Sequence, residues 1–234
     1  MNKATLLIVT RNRAPQLSVS LQSIIEKDYK DLGILVWDDS STDNTAEIVA
    51  QYNPQINYVK HAKSNAYAKN PGGIINEAHK LCTGSIIFEQ GGEVCHVTDC
   101  ITPLLEICKP GIVAMARVHN GDPQQLEVLK KAIADGRYEF PPDYAPMSIR
   151  TNGHTWEVPR VGPEGTPLYV GWERPAPFLF MGAIHADDFD RVGGYDAKLD
   201  FNADGDLAKR LWESGVRFVF SGKAIAFHQK HGKS

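Results

Sequence analysis

Val36-Trp37-Asp38-Asp39-Ser40-Ser41-Thr42-Asp43-Asn44-Thr45 is the stretch that decides how this chain folds. An apolar strand, Leu32 to Trp37, runs into it, and a helix-like run, Thr45 to Gln51, leaves it. Two adjacent carboxylates, Asp38 and Asp39, therefore fall at the carboxyl end of a buried strand. In open α/β sheets that end is where ligands bind. Asp43 is placed to cap the following helix, and Ser40, Ser41 and Thr42 offer turn hydroxyls. Taken alone, the stretch also reads as a well-capped strand-to-helix turn. Its neighbours decide between the two.

Upstream, Thr5 to Thr10 (TLLIVT) is a continuous apolar run, as expected of a strand covered on both faces. Arg11-Asn12-Arg13 breaks it. Pro15 suits the first turn of a helix reaching about Glu26, with Leu17, Leu21, Ile24 and Ile25 on one face. Downstream, a third strand is expected near Ile56 to Lys60. The order β-α-β-α-β predicts a parallel sheet with right-handed crossovers. Pro71-Gly72-Gly73 opens another helix ending near Gly84, and Ser85 to Glu89 reads as a strand. Cys100 to Cys108 has a helical pattern, and Gly111 to Arg117 is a strand. From about Asp135 to Glu173, prolines at Pro141, Pro142, Pro146, Pro159, Pro163 and Pro167 interrupt any long element. That segment is expected to be irregular or to form short strands, and to carry acceptor contacts or a mobile loop. Regular structure resumes with a strand at Phe178 to Ala183 and a helix at Ala186 to Arg191. A turn at Gly193-Gly194-Tyr195-Asp196 precedes a helix at Ala203 to Gly215. Phe218 to Phe220 and Ala224 to Phe227 read as two short strands.

Composition bounds the function. The length of 234 residues allows one large domain or two small ones, with a sizeable core either way. A formal charge of −3 supplies no general basic field for nucleic acid. No apolar run is long enough to span a membrane, and Met1-Asn2-Lys3-Ala4 leads straight into a strand. Cys82, Cys95, Cys100 and Cys108 form no CxxC pair, so buried free thiols and a cytoplasmic location are expected. The chain lacks GxGxxG after its first strand, and it lacks the P-loop, HExxH and GxSxG patterns.

Four polar pieces fall at strand ends or a helix start: Thr10-Arg11-Asn12-Arg13, Asp38-Asp39, Gln90-Gly91-Gly92-Glu93 and Asp204-Gly205-Asp206-Leu207. A nucleotide lying over such an edge needs a polar cradle, charge compensation at its diphosphate and a base for the incoming nucleophile. With LLIVTRNR (Leu6 to Arg13), VWDDSSTDNT (Val36 to Thr45), GSIIFEQGGE (Gly84 to Glu93) and RVGGYDAKLDFNADGDLAKRL (Arg191 to Leu211), the chain resembles a family 2 glycosyltransferase. The resemblance implies a single GT-A type, Rossmann-like α/β domain over residues 1–234, with a mostly parallel central sheet flanked by helices. Residues 1–117 would form the nucleotide-binding half and 118–234 the acceptor-side half.

The family implies inverting transfer from a nucleoside diphosphate sugar, most readily a UDP-sugar, with Mn2+ or Mg2+. By that resemblance Thr10 and Asp39 contact the nucleobase, Asp38 is a nucleotide-pocket carboxylate, and Arg11, Arg13, Asn70 and Gln90 lie around the nucleotide. Asp204 matches the general base. The family usually shows Asp-x-Asp where this chain has Gly91-Gly92-Glu93. Gln90, Glu93 and His96 fit a Gln-x-x-Glu variant followed by His, which leaves Glu93 as the metal-ligating carboxylate. His228, after the last strand, is a second candidate ligand or a surface residue. Lys230, His231 and Lys233 read as a basic tail over the diphosphate. Asp206 is an acceptor-side carboxylate or a helix-start residue favoured by the dipole. Trp172, with Trp156, is an acceptor-side aromatic or a core residue. Two other functions fit less of the chain. One is a nucleotide-sugar-binding module with weakened chemistry, which has no use for a base at Asp204. The other is a sugar-1-phosphate nucleotidyltransferase, which lacks its glycine-rich loop here. The acceptor could be a glycan, lipid, protein or modified nucleic acid.

Overall fold

The computed structural model describes residues 3–61, 71–138, 149–151, 154–156, 167–168, 181–199 and 203–231. In chain order the elements are β1 (Ala4–Thr10), α1 (Ala14–Ile25), β2 (Leu32–Asp38), α2 (Thr45–Ala50), β3 (Ile56–Lys60) and α3 (Pro71–His79). Then come β4 (Ile86–Gly91), β5 (Val94–His96), α4 (Ile101–Ile107), β6 (Ile112–Gly121) and α5 (Pro123–Ala134). The last are β7 (Ile149–Thr151), β8 (His154–Trp156), β9 (Pro167–Leu168), β10 (Met181–His185), α6 (Ala186–Arg191), α7 (Ala203–Glu213) and β11 (Arg217–Gln229).

Every residue of β1 is buried, because its side chains alternate between two cores. Leu6 and Ile8 pack with Leu17, Leu21 and Ile24 of α1 and Leu104 of α4. Leu7 and Val9 pack on the other face with Trp37, Ile74, Phe189, Leu207 and Leu211. Each such side chain contributes roughly 1.5–3 kcal/mol of burial, so β1 pins the sheet between two helical layers.

The strand order is β3-β2-β1-β4-β10-β6-β11-β5, with β9 beside β11, and β7 and β8 form a separate pair. The expected parallel half is present: β3, β2, β1 and β4 run together. Beyond it the sheet is mixed. β10 runs antiparallel between β4 and β6, β11 runs parallel to β6, and β5 is antiparallel to β11.

Besides shifted boundaries, three elements differ from the sequence reading, the first being β5, where no strand was expected. The two short strands expected near the C-terminus are one bent strand, β11, whose register shifts between Phe220 and Ile225. Ser221 makes the bend: its Oγ accepts from the N–H groups of Lys223 and Ala224. A polar run that looked like a break is therefore a bulge. Helix α5 was not anticipated, although Asp122-Pro123-Gln124-Gln125 announces it. Asp122 accepts from the Gln125 N–H, the Gln125 side chain accepts from the Asp122 N–H, and proline occupies the first turn. No described helix is long and apolar enough to cross a membrane.

Candidate active site

The β1–α1 and β2–α2 turns are stitched together by their own polar side chains. Asn12 Oδ1 accepts from the N–H and the hydroxyl of Thr42, and Ser41 Oγ accepts from the Asn12 N–H. Asp43 Oδ1 accepts from the N–H and hydroxyl of Thr45, while its Oδ2 accepts from the Ala14 N–H. One carboxylate thus satisfies the first N–H of two helices, more than the single cap the sequence implied. Burial acts to raise the Asp43 carboxyl, but the Thr45 hydroxyl and these N–H bonds outweigh it and hold it below its ordinary value. Asn12 and Ser40 have φ of 49° and 61°, so both turns pass through the left-handed region at the rim of the sheet.

Between the turns lie the carboxylates that opened the reading. Asp38 and Asp39 are fully buried. Asp38 Oδ1 accepts from the Ser41 N–H at 2.8 Å, and its Oδ2 accepts from the Tyr58 hydroxyl at 2.6 Å. Asp39 Oδ2 accepts from Arg11 Nη1 at 3.2 Å, and His61 Nδ1 is 3.7 Å from its Oδ1. His61 is stacked on Trp37 with centroids 5.5 Å apart, and it reaches Glu77 at 3.4 Å. Thr10 pairs with Asp38 across the sheet. Its buried Oγ1 has no hydrogen-bond partner among the described residues. A Cβ on Gly92 would sit 2.5 Å from that oxygen, so the β4–β5 turn closes directly against it. Arg13, at the start of α1, donates from Nη1 to the Asn12 carbonyl.

Past Gly92 the chain carries Glu93 toward β11. Register fixes the meeting: His228 pairs with Val94, and the Gln229 N–H donates to the Glu93 carbonyl. Glu93 Oε1 lies 3.5 Å from His228 Nε2 and 3.7 Å from His231 Nε2. One atom from each of Glu93, His228 and His231 falls within 4.8 Å of the others, close enough for one cation. Burial tends to raise the Glu93 carboxyl. The His228 hydrogen bond, its own N–H and the two imidazoles reverse this, so it is held low and ready to ligate. The Glu93 carboxylate rests against the bare backbone of Gly91, where a Cβ would stand 2.9 Å from it.

Two residues expected here turn inward. Gln90 is buried; its amide donates to Ser20 Oγ and the Val94 carbonyl, and its Oε1 meets His96 Nε2 at 2.8 Å. It braces the β4–β5 turn from inside rather than facing a nucleotide. His96 shares that interior, and burial, helped by the Lys27 charge, lowers its imidazole to about 3, so it stays neutral. The third member of the cation cluster is His231, which the sequence reading assigned to a basic tail. The spacing of His228 and His231 after a strand was the available signal.

Asp204 occupies the first turn of α7. Burial, and then the charge of Glu89, raise its carboxyl to about 6. Asp206, expected on the acceptor side, is committed to its own helix: Nε and Nη2 of Arg210 both reach Oδ2 at 2.7 Å. Glu89 went unremarked in the sequence. It is buried on β4, accepts from the Tyr195 hydroxyl at 2.5 Å and is bonded to His79 Nε2. Asn70 and Trp172 lie outside the described residues, as does the side chain of Trp156.

Comparison with known proteins bears on the family and the fold. The model of glycosyl transferase family 2 matches residues 5–157. GalNAc(5)-diNAcBac-PP-undecaprenol beta-1,3-glucosyltransferase of Campylobacter jejuni is 30% identical over 87 residues, 37% of this chain and 28% of that protein. Among solved structures, the mannosyltransferase PcManGT of Pyrobaculum calidifontis, in complex with GDP-Man and Mn2+, superposes with a TM-score of 0.62 at 17% identity. It is matched over 99% of this chain and 58% of its own. S. aureus TarS 1-349 with UDP-GlcNAc gives 0.65 at 16% identity, over 99% and 60%. GalNAc-T7 with UDP, GalNAc and Mn2+ gives 0.71 at 14%, over 99% and 44%. The chain therefore spans under a third of its sequence relative and 44–60% of these three structures. At these identities the structures speak for the fold, and the family model for kinship: matched over more than half its length, this chain belongs to glycosyl transferase family 2.

Proposed function

We propose that the chain transfers a sugar, with inversion, from a UDP-linked donor to an acceptor hydroxyl. Supporting this reading above all is the Glu93–His228–His231 cluster, set one residue beyond the Gly92–Thr10 contact at the rim that holds Asp38 and Asp39. A nucleotide seated on that rim meets an unpartnered Thr10 hydroxyl and the Asp39–Arg11 pair, and its diphosphate comes to the cluster. In the transfer step the acceptor oxygen attacks the anomeric carbon. The bond from that carbon to the phosphate oxygen breaks, the nucleoside diphosphate leaves, and the acceptor proton passes to Asp204. A carboxyl raised to about 6 is largely ionised at neutral pH yet basic enough to take that proton.

Two imidazole nitrogens and one carboxylate oxygen suit Mn2+ better than Mg2+, which prefers oxygen ligands. A divalent cation bound there neutralises the negative charge of the departing diphosphate. In this reading Glu93, His228 and His231 would hold the cation, and Asp204 would serve the acceptor.

Calorimetric titration of UDP and of GDP, each with and without Mn2+, tests this on wild type and Glu93→Ala. Mn2+-dependent UDP binding that is lost in the variant is the expected result. Binding indifferent to Mn2+ and to Glu93 would remove the cation from the mechanism. Tight binding of GDP alone would overturn the UDP assignment.

A further inference from the structure

We propose that His61 is a positioning residue for the nucleotide: wedged between Trp37, Glu77 and Asp39, it fixes the rotation of the Asp39 carboxylate and, through it, the preference for the base. It rests on the reading of Asp39 as a nucleobase contact. It adds a residue whose ring nitrogen beside Asp39 is closed to solvent.

The need for such a residue comes from aspartate itself. Its terminal torsion is broad and roughly two-fold, so a carboxylate gripped at one oxygen still turns about that grip. Asp39 is fully buried. Arg11 Nη1 reaches its Oδ2 at 3.2 Å, from a side chain that is 21% exposed. Beside the other oxygen stands His61, with Nδ1 3.7 Å from Oδ1. That separation is longer than a hydrogen bond, so the imidazole edge acts as a polar stop against which Oδ1 comes to rest. Asp39 thus has a guanidinium at one oxygen and an imidazole at the other. The first comes from the β1–α1 turn and the second from the end of β3.

His61 is itself held firmly. Its N–H donates to the Asp38 carbonyl at 2.8 Å, and its carbonyl accepts from Ser40 Oγ at 2.7 Å. Both backbone groups are therefore stitched to the turn that carries Asp39. The ring lies on Trp37 with planes 29° apart, and Nε2 faces Glu77 Oε2 of α3 at 3.4 Å. The Glu77 side chain is 53% exposed, so this pair contributes little energy. Its effect is on direction: with Nε2 turned to Glu77, Nδ1 is left turned to Asp39. That nitrogen has no hydrogen-bond partner among the described residues. If packing on Trp37 were the whole role, phenylalanine would serve without leaving a buried nitrogen unbonded. A cost placed beside the carboxylate of the nucleotide rim points to a use there.

Uracil offers a ring N–H to a carboxylate where cytosine offers a lone pair, so a well-aimed Asp39 favours UDP over CDP. Calorimetry in Mn2+ compares the two nucleotides on wild type, His61→Phe, Asp39→Asn and the double variant. His61→Phe keeps a ring on Trp37 and deletes both nitrogens. It is expected to lower UDP affinity roughly tenfold and CDP affinity less, and to have no further effect in the Asp39→Asn background. An unchanged UDP affinity, equal losses for UDP and CDP, or the same loss repeated in the Asp39→Asn background overturns the proposal. If His61→Phe does not fold, His61→Gln decides by the same readings, since it keeps a polar group for Glu77 and lacks Nδ1. Full UDP affinity in Asp39→Asn alone would instead sink the nucleobase reading, and this proposal with it.

Discussion

The raised carboxyl of Asp204, the base proposed above, has a thermodynamic signature. Its folded value of about 6 lies above the ordinary 3.8. Between those two values the folded chain holds the proton more tightly than the unfolded chain. Stability contributed by the protonated group is therefore complete below about pH 4 and lost as pH rises through about 6. At neutral pH the ionised side chain costs on the order of 3 kcal/mol. Replacing Asp204 by Asn should remove that cost while cutting transfer by roughly 10²–10⁴-fold, the usual worth of a general base. Urea denaturation at pH 8 and at pH 4, beside a transfer assay, checks both halves. The variant should gain stability at pH 8 and lose that advantage at pH 4.

At the scale of elements, the site depends on two turns that no single strand could hold. Asp43 joins the start of α1 to the start of α2, so Asp43→Ala leaves the first N–H of both helices without this acceptor. A loss of about 1–2 kcal/mol is expected, together with weaker UDP binding, because Asn12, Ser41 and Thr42 then lose their alignment. Thermal melting and calorimetry on the one variant read both effects. The strands and helices of this half were legible in the sequence, since TLLIVT, LGILVWD and the Leu17-Leu21-Ile24 face declare their partners locally. Thr10, Asp38, Asp39, Glu93, His228 and Asp204 were legible as positions at element ends. What escaped was non-local. Tyr195 meets Glu89 across 106 residues and His228 meets Glu93 across more than a hundred, and no periodicity records such meetings. Gln90 and His96 were misplaced for a related reason. Strand alternation sends Gln90 into the interior, and the β5 pairing takes His96 with it.

For the whole molecule, the decisive feature is the reversal at β10. That strand ends beside Ile86, at the amino edge of β4. The chain then supplies α6 and α7 on one face and returns through thirteen-residue β11 to deliver His228 beside Glu93. A cation held there ties the first half of the chain to its last described strand. Binding to the folded state alone stabilises it by RT ln(1 + [L]/Kd), about 2.7 kcal/mol at a hundredfold excess over Kd. Mn2+ is thus expected to raise the melting temperature of wild type and to leave His228→Ala unmoved, with EDTA reversing the gain. Differential scanning calorimetry at fixed protein concentration reads it directly.

The bare backbone at Gly91 has an evolutionary corollary. The space that a Cβ would fill there is where the Glu93 carboxylate rests. Any side chain at 91, the aspartate of the usual family pattern included, would share that space, so the Glu93 carboxylate would have to swing aside to make room. Positions 91 and 93 are therefore expected to change together: what stands at one decides where the carboxylate at the other can rest.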